Sequence, residues 1–123
     1  MEKISVFLDD YRKAPEGYVL AETIDECIEL LQNFDIEHLS LDHDLSNRTK
    51  NGFMLVQKMV EEKLFAKRIT IHSANSVGGK AMYNCLKKAQ RNFIMPNSII
   101  LSLRPLPLNF FPSKVLEHYL EIR

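Results

Sequence analysis

Asp42, His43 and Asp44 are the residues best suited to chemistry, because they follow directly on an apolar segment. A second acidic pair, Asp9 and Asp10, ends another apolar run near the start of the chain. Carboxylates that lie close together need a cation between them or a raised pKa. Their oxygens suit Mg²⁺ or Mn²⁺, and a neighbouring histidine can transfer a proton near neutral pH. Together these residue types indicate phosphoryl chemistry.

Such residues must be brought together by elements that lie far apart in the chain, and the hydrophobic pattern predicts five strands. They are expected at residues 4–8, 18–22, 38–41, 68–72 and 98–103. Thr23 and Glu26 form a capping box for a first helix, Asn51 caps a second, and Ser113 caps a last one. A further helix is predicted to carry on one apolar face Val77, Ala81, Met82, Cys85, Leu86 and Ala89.

Strands that alternate with helices predict an α/β fold, a parallel sheet covered on both faces, in a single domain over residues 1–123. Only nine residues separate Leu8 from Tyr18, fewer than a helical crossover requires, so the first helix is shortened or missing. In such a sheet, ligands bind outside the carboxyl ends of the strands. We therefore expect the residues after each strand to meet at one edge.

Further polar residues follow the strands. His72 ends the fourth strand and Ser73 and Asn75 follow it, while Arg12 and Arg104 come after the first and fifth. His72 is a candidate proton donor, and the other four are candidate phosphate ligands. Each of these interpretations has a structural alternative, since histidines at strand ends are often only hydrogen-bonded and aspartates often stabilise turns. Lys80 follows two glycines, but the phosphate-loop pattern fails around it.

The composition narrows the class of function. Lys plus Arg and Asp plus Glu both number 16, and this zero net charge argues against bulk nucleic-acid binding. No apolar run is long enough to span a bilayer, so we expect a cytoplasmic protein. Cys27 and Cys85 are predicted to be buried thiols rather than zinc ligands. His38 and His118 are expected to be structural or exposed.

The strand-end residues resemble those of response-regulator receiver domains, which have a flavodoxin-like three-layer fold with sheet order 2-1-3-4-5. The acidic pair of receivers matches Asp9 and Asp10, and the phosphoacceptor position matches Asp42. The hydroxyl residue after strand four matches Ser73, and Arg104 precedes Pro105 where receivers have Lys-Pro.

A divergent branch, the cyclic-phosphate-processing receiver-like domains, is more similar. Its L-D-D-x-R pattern matches residues 8–12, and its S-L-D-H-D-L pattern matches residues 40–45. Its H-S-x-N-x-x-G pattern, followed by a Met, matches residues 72–82, although Ser76 stands where the branch often has Pro. The resemblance covers about residues 4–90.

This resemblance implies a Mg²⁺- or Mn²⁺-dependent phosphoesterase that acts on a nucleotide cyclic phosphate or cyclic nucleotide. The implied metal ligands are Asp9, Asp10, Asp42 and Asp44. The implied catalytic residues are Asp42, His43 and His72, and the implied phosphate ligands are Arg12, Ser73, Asn75 and Arg104. Which of Asp42 and Asp44 faces the metal stays open, because Gly52 has the ordinary receiver spacing from Asp44.

Three other functions are compatible with the same residues. A stand-alone receiver would be phosphorylated on Asp42 and would switch a protein partner. A binding module would hold a cyclic nucleotide without turnover. A phosphatase of the haloacid dehalogenase type would use Asp42 and Asp44 as a D-x-D motif, but that motif normally follows the first strand.

Overall fold

The computed structural model describes residues 2–45 and 50–105, which form a five-stranded parallel sheet with three helices. The strands are β1 (Lys3–Leu8), β2 (Tyr18–Ala21), β3 (Asp35–Leu41), β4 (Arg68–Ser73) and β5 (Ile100–Pro105). The helices are α1 (Ile24–Asn33), α2 (Gly52–Glu62) and α3 (Ser76–Arg91). The strand order β2-β1-β3-β4-β5 confirms the predicted receiver-like, flavodoxin-like sheet.

Two helices begin where their capping residues predict. The Thr23 hydroxyl accepts the backbone N–H of Glu26 at 3.1 Å, and the Asn51 side-chain oxygen accepts that of Met54 at 3.1 Å. These bonds satisfy N–H groups that have no partner inside a helix. The caps therefore set the starts of α1 and α2, and α2 begins directly after the segment that carries the candidate site.

The connection from β1 to β2 contains no helix, which confirms the predicted shortening of the first crossover. Residues 9–17 form a compact turn, and the backbone N–H of Tyr18 donates to the Pro15 carbonyl at 3.1 Å. The turn therefore starts at Asp9, the first residue after β1, and its geometry decides where the side chains of residues 9–12 point.

Side chains alternate between the two faces of the sheet, as strand geometry requires. One face is apolar and buried, with a core formed by Val6, Leu8, Leu39, Leu41, Ile69 and Ile71. Helix α2 packs against both α1 and α3, so the three described helices lie on this same side. The last predicted helix, capped by Ser113, lies outside the described residues, as does His118.

The opposite face of the sheet is polar. His38 Nε2 lies 2.7 Å from the Thr70 hydroxyl, and the Tyr18 hydroxyl hydrogen-bonds the other ring nitrogen of His38. This agrees with the structural role expected for His38. On the same face, Ser40 and His72 are hydrogen-bonded beside one another. Ser40 and His72 are both buried, so β3 and β4 are buried on both faces as predicted, although only one of the two faces is apolar.

A few sequence predictions differ from the structure in detail. Val77, expected on the core face of α3, is 79% exposed, whereas Gly78, Gly79 and Met82 are buried, so the core face of α3 passes through those residues and not through Val77. Cys27 is buried as predicted, whereas Cys85 is only partly buried. Strand β5 begins at Ile100, two residues later than expected. In residues 2–45 and 50–105, no helix combines the length and apolar character needed to cross a membrane.

Candidate functional site

The register of the sheet brings the ends of β1, β3 and β4 side by side. Leu8 pairs with Leu41, and Leu41 pairs with Ile71. The residues that come next in the three strands are Asp9, Asp42 and His72. All three side chains are almost fully buried, with exposed fractions of 0%, 3% and 4%. The predicted meeting of strand-end residues at one edge is therefore observed for these three.

Asp9 is saturated with hydrogen bonds. Its Oδ1 accepts the backbone N–H groups of Tyr11 at 2.8 Å and Arg12 at 2.9 Å. Its Oδ2 accepts Arg12 Nη1 at 2.6 Å and lies 3.1 Å from His72 Nε2. Burial alone would raise the pKa of Asp9, but these bonds, led by the one to His72, hold it below the ordinary value. Asp9 is thus a stable carboxylate that closes the turn after β1.

Arg12 lies between two of the carboxylates. Its Nη1 is 2.6 Å from Asp9 Oδ2 and 3.4 Å from Asp42 Oδ2, and its side chain is only 10% exposed. The cation that close carboxylates require is therefore supplied, at this position, by a guanidinium group of the chain itself.

Asp42 differs from Asp9 because fewer donors reach it. Its Oδ1 accepts the backbone N–H of His43 at 2.8 Å, and Arg12 lies near its Oδ2. Burial, followed by the charge of Asp9, raises the pKa of Asp42 to about 7, and Arg12 and the His43 N–H only partly oppose this. A carboxyl group that titrates near neutral pH can act as a general base or acid.

His72 has both ring nitrogens engaged. Nε2 faces Asp9 Oδ2 at 3.1 Å, Nδ1 lies 2.6 Å from the Ser40 hydroxyl, and the ring stacks on Phe7 with centroids 4.3 Å apart. Burial lowers the pKa of His72, although Asp9 opposes this. Since the carboxylate can only accept, the neutral ring carries its proton on Nε2, and the Ser40 hydroxyl donates to Nδ1.

His43, Asp44 and Asn75 form a second group at the same edge. His43 Nδ1 lies 2.6 Å from Asp44 Oδ1, and Asn75 Nδ2 donates to that oxygen at 3.0 Å. The Asn75 side-chain oxygen accepts the N–H of Gly78 at 2.8 Å and so caps α3. Asp44 therefore orients the imidazole through Nδ1, which leaves Nε2 as the nitrogen suited to a substrate.

The other three predicted site residues, Ser73, Asp10 and Arg104, belong to neither of these two groups. The Ser73 hydroxyl accepts the N–H of Asn75 at 3.0 Å and shapes the turn into α3. Asp10 lines a cavity of about 310 Å³, together with Asp25 and Lys50 among others. Arg104 pairs with His72 in the sheet register, so it lies on the polar face, where it is exposed.

The predicted metal ligands are not gathered around one point. Within residues 2–45 and 50–105, no group of three or more His, Cys, Asp or Glu side chains has the spacing to hold a metal ion. Arg12 lies between Asp9 and Asp42, Asp10 lines a cavity with Asp25 and Lys50, and Asp44 bonds to His43. This arrangement does not fit a divalent cation, and magnesium binding stays a prediction from the sequence.

Two contacts of the site were not anticipated from the sequence. Ser40 bonds to His72, and Phe7 stacks on the same ring. The two-residue period of a strand could have indicated Ser40, because Ser40 lies two residues before Asp42 and therefore on the same face of the sheet. Phe7 pairs with Ser40 across β1 and β3, so the two residues reach His72 from neighbouring strands.

Gly78 is expected to be required for the position of His43. A Cβ at Gly78 would lie 2.6 Å from His43 Nδ1, so Gly78→Ala should displace the ring by about 1 Å and destabilise the fold by roughly 1–3 kcal/mol. Histidine side-chain NMR signals and chemical denaturation would measure both effects. Gly79→Ala is the matched control, because its nearest contacts are ordinary ones at 3.5 Å or more. Unchanged His43 signals in Gly78→Ala would contradict the prediction.

Comparison with known proteins identifies the family of this arrangement. A search of curated proteins found no significant match. The family model of the cyclic-phosphate processing Receiver domain matches residues 4–88, which include β1 from its second residue, β2 to β4, and most of α3. The matched segment carries the paired carboxylates, the bridging arginine and both histidine groups described above. With more than half of its length matched and with the receiver-like sheet, the chain belongs to the cyclic-phosphate processing receiver domain family.

Proposed function

We propose that this chain hydrolyses a cyclic phosphate ester of a nucleotide, with the reaction centred on Asp42. The observation that most supports this is a buried carboxyl group with a pKa of about 7, whose Oδ2 lies 3.4 Å from Arg12 Nη1. Such a carboxyl group can take a proton from water and release it again at neutral pH. A guanidinium group beside it suits the negative charge of a phosphate.

The substrate class follows from the family and from the charge of the chain. Membership of a family associated with cyclic-phosphate processing supports a nucleotide cyclic phosphate or a cyclic nucleotide. The zero net charge argues against extended recognition of a polyanion. A small cyclic nucleotide, or a 2′,3′-cyclic phosphate at a nucleotide end, therefore fits better than a long nucleic acid.

The proposed reaction consumes one water for each ester bond broken. A water oxygen attacks phosphorus, and one of the two ring P–O bonds breaks. The ionised carboxylate of Asp42 takes a proton from the water, and His43 gives a proton from Nε2 to the leaving oxygen. The product is a phosphomonoester with a free hydroxyl group, and solvent restores both protonation states. Arg12 stabilises the negative charge that grows on the phosphoryl oxygens.

The two histidines have different roles in this scheme. Asp44 holds His43 through Nδ1, and the ring keeps 17% of its side-chain surface exposed. His72 is nearly buried, and both of its nitrogens are bonded to Asp9 and Ser40. We therefore assign proton transfer to His43, and we assign to His72 the positioning of Asp9.

Asn75 and Ser73 support the phosphate at the start of α3. The N-terminus of a helix favours an anion, and the Asn75 cap orders that turn through its bond to the Gly78 N–H. The Ser73 hydroxyl accepts the backbone N–H of Asn75 and so fixes the turn that leads into α3. Their contribution is therefore to the shape of the pocket for the anion rather than to proton transfer.

The test is a turnover assay with a panel of 2′,3′-cyclic and 3′,5′-cyclic mononucleotides and cyclic oligonucleotides. Each compound is incubated with the protein in Mg²⁺, in Mn²⁺ and in a chelator, and the products are separated by chromatography. We expect a cyclic phosphate to be converted to a phosphomonoester with or without the metal. Asp42→Asn is the test variant and should not convert it. Asp25→Asn is its control, since it makes the same chemical change on an exposed residue of α1.

The assay also separates the other functions that the sequence allows. Conversion only in the presence of a divalent ion would support the metal-dependent form of the esterase. Tight binding with the ligand recovered intact would support a binding module. An acid-labile phosphoryl group on Asp42 after treatment with a small phosphodonor, without turnover, would support a signalling receiver. Either of the last two results would contradict the proposed hydrolysis.

A further inference from the structure

The turn after β1 folds the Arg12 side chain back over the strand ends. The backbone N–H groups of Tyr11 and Arg12 both donate to Asp9 Oδ1, so the turn is held by the same residue that the guanidinium group reaches. Arg12 Nη1 then contacts Oδ2 of Asp9 and Oδ2 of Asp42 at 2.6 and 3.4 Å. Backbone and side chain together fix a positive charge between two buried carboxylates.

We infer that Arg12 is the resident cation of this site and that it excludes a divalent metal ion from the Asp9–Asp42 pair. Two carboxylates this close and this buried require a positive charge, and the arginine supplies it without any bound ion. A metal ion at the same place would have to displace a guanidinium group that is only 10% exposed.

The surrounding residues support the same conclusion. A hard divalent ion needs several oxygen ligands at short distances, and Mg²⁺ demands nearly octahedral geometry. Asp10 would be the natural third carboxylate, but in the described residues it does not form a group with Asp9 and Asp42 that could hold a metal ion. His72 Nε2 also contacts Asp9 Oδ2, so both carboxylate oxygens of Asp9 already have hydrogen-bond partners within the chain.

The inference predicts that removing the arginine creates a metal site. Arg12→Ala would leave Asp9 and Asp42 buried without their cation, and a divalent ion would then relieve the repulsion between them. Arg12→Lys keeps a positive charge near the two carboxylates and should still exclude the ion. The inference rests on observed contacts and not on the proposed hydrolysis, so the two can fail separately.

The test is a titration of the purified, chelator-treated protein with Mn²⁺ and no substrate, followed by electron paramagnetic resonance of the free ion and by calorimetry with Mg²⁺. We expect no saturable site in the wild type or in Arg12→Lys. Arg12→Ala should bind one ion per chain at least about 10-fold more tightly than any residual, non-saturating binding to the wild type, a difference of about 1.4 kcal/mol. The double variant Arg12→Ala with Asp42→Asn should lose that site again.

Three results would overturn the inference. One is a saturable site in the wild type that is lost in Asp42→Asn. Another is a folded Arg12→Ala variant that binds no ion at all. If Arg12→Ala does not fold, the wild type and Arg12→Lys decide the matter, and a saturable site in either, lost with Asp42→Asn, contradicts the inference. A melting temperature raised by Mn²⁺ in Arg12→Ala alone would support it.

Discussion

Asp42→Asn is expected to lower kcat/KM for a cyclic phosphate by at least about 10³-fold and, at the same time, to stabilise the fold near pH 8. The loss of activity follows from the removal of the proposed base. The gain in stability follows from the raised pKa, because a buried carboxylate beside Asp9 is costly when ionised. A substitution that removes an ordinary structural contact would lower both activity and stability. Lower activity together with higher stability would therefore distinguish a catalytic carboxyl group from a structural one.

The pH dependence of that stability has a definite direction. The pKa of Asp42 is raised from 3.8 to about 7 on folding, so the folded state binds this proton more tightly. Its stabilising contribution is complete below pH 3.8 and is lost as the pH rises through about 7. The wild type should therefore become less stable across this range, whereas Asp42→Asn should not show that loss. Asp9, with its lowered pKa, acts in the opposite direction only at more acidic pH.

Chemical denaturation at about pH 5 and about pH 8 would measure the effect, with an expected gain of roughly 1–3 kcal/mol for Asp42→Asn at the higher pH and less at the lower. Asp25→Asn is the control, because its exposed ion pair with Lys50 should change stability by at most about 1 kcal/mol at either pH. A loss of stability in Asp42→Asn at both pH values would contradict the prediction and would show that the carboxyl group stabilises the fold.

Gly52→Ala is expected to have the largest effect on folding, a destabilisation of about 2–4 kcal/mol. Gly52 is the first residue of α2, and its N–H donates to the His43 carbonyl at 2.9 Å. A Cβ there would overlap the Asp42 carbonyl oxygen, and it would lie 2.8 Å from Met82 Cε. Because the overlapped oxygen belongs to the backbone, the segment that carries Asp42 and His43 has to move.

The matched control for this prediction is again Gly79→Ala. A methyl group at Gly79 meets only side-chain atoms at 3.5 Å or more, and alanine is the better helix former by up to about 1 kcal/mol. Denaturation curves of the two variants should therefore separate clearly, with Gly52→Ala less stable than the wild type and Gly79→Ala equal or more stable. Equal stabilities of the two variants would refute the steric explanation.

Much of the fold could be predicted because the sequence is locally consistent. Thr23 and Asn51 cap helices whose apolar residues recur at helical spacing, and each capping bond is present. The short segment before Tyr18 predicts, from its length alone, that the first helix is shortened or missing. Once the strands were assigned, parallel order placed Asp9, Asp42 and His72 at one edge, and the register confirms this.

The contacts within the site could not be predicted in the same way, because residue types do not fix side-chain directions. Asp9 and Asp10 are adjacent, yet Asp9 is fully buried and bonds Arg12, whereas Asp10 lines a cavity. The sequence shows three carboxylates that need a cation, but only the turn geometry shows that Arg12 reaches two of them. The bond from Ser40 to His72 likewise depends on which face of the sheet each strand presents.

The hydrolysis of cyclic phosphates is tested most directly by following a mixture of nucleotide cyclic phosphates with ³¹P NMR in the presence of a chelator. Wild-type protein should convert at least one cyclic ester to its phosphomonoester, and Asp42→Asn should leave the same ester unchanged over the same time. If the wild type leaves every cyclic ester intact, with and without added Mg²⁺ or Mn²⁺, or if Asp42→Asn turns over as fast as the wild type, the proposed function is wrong.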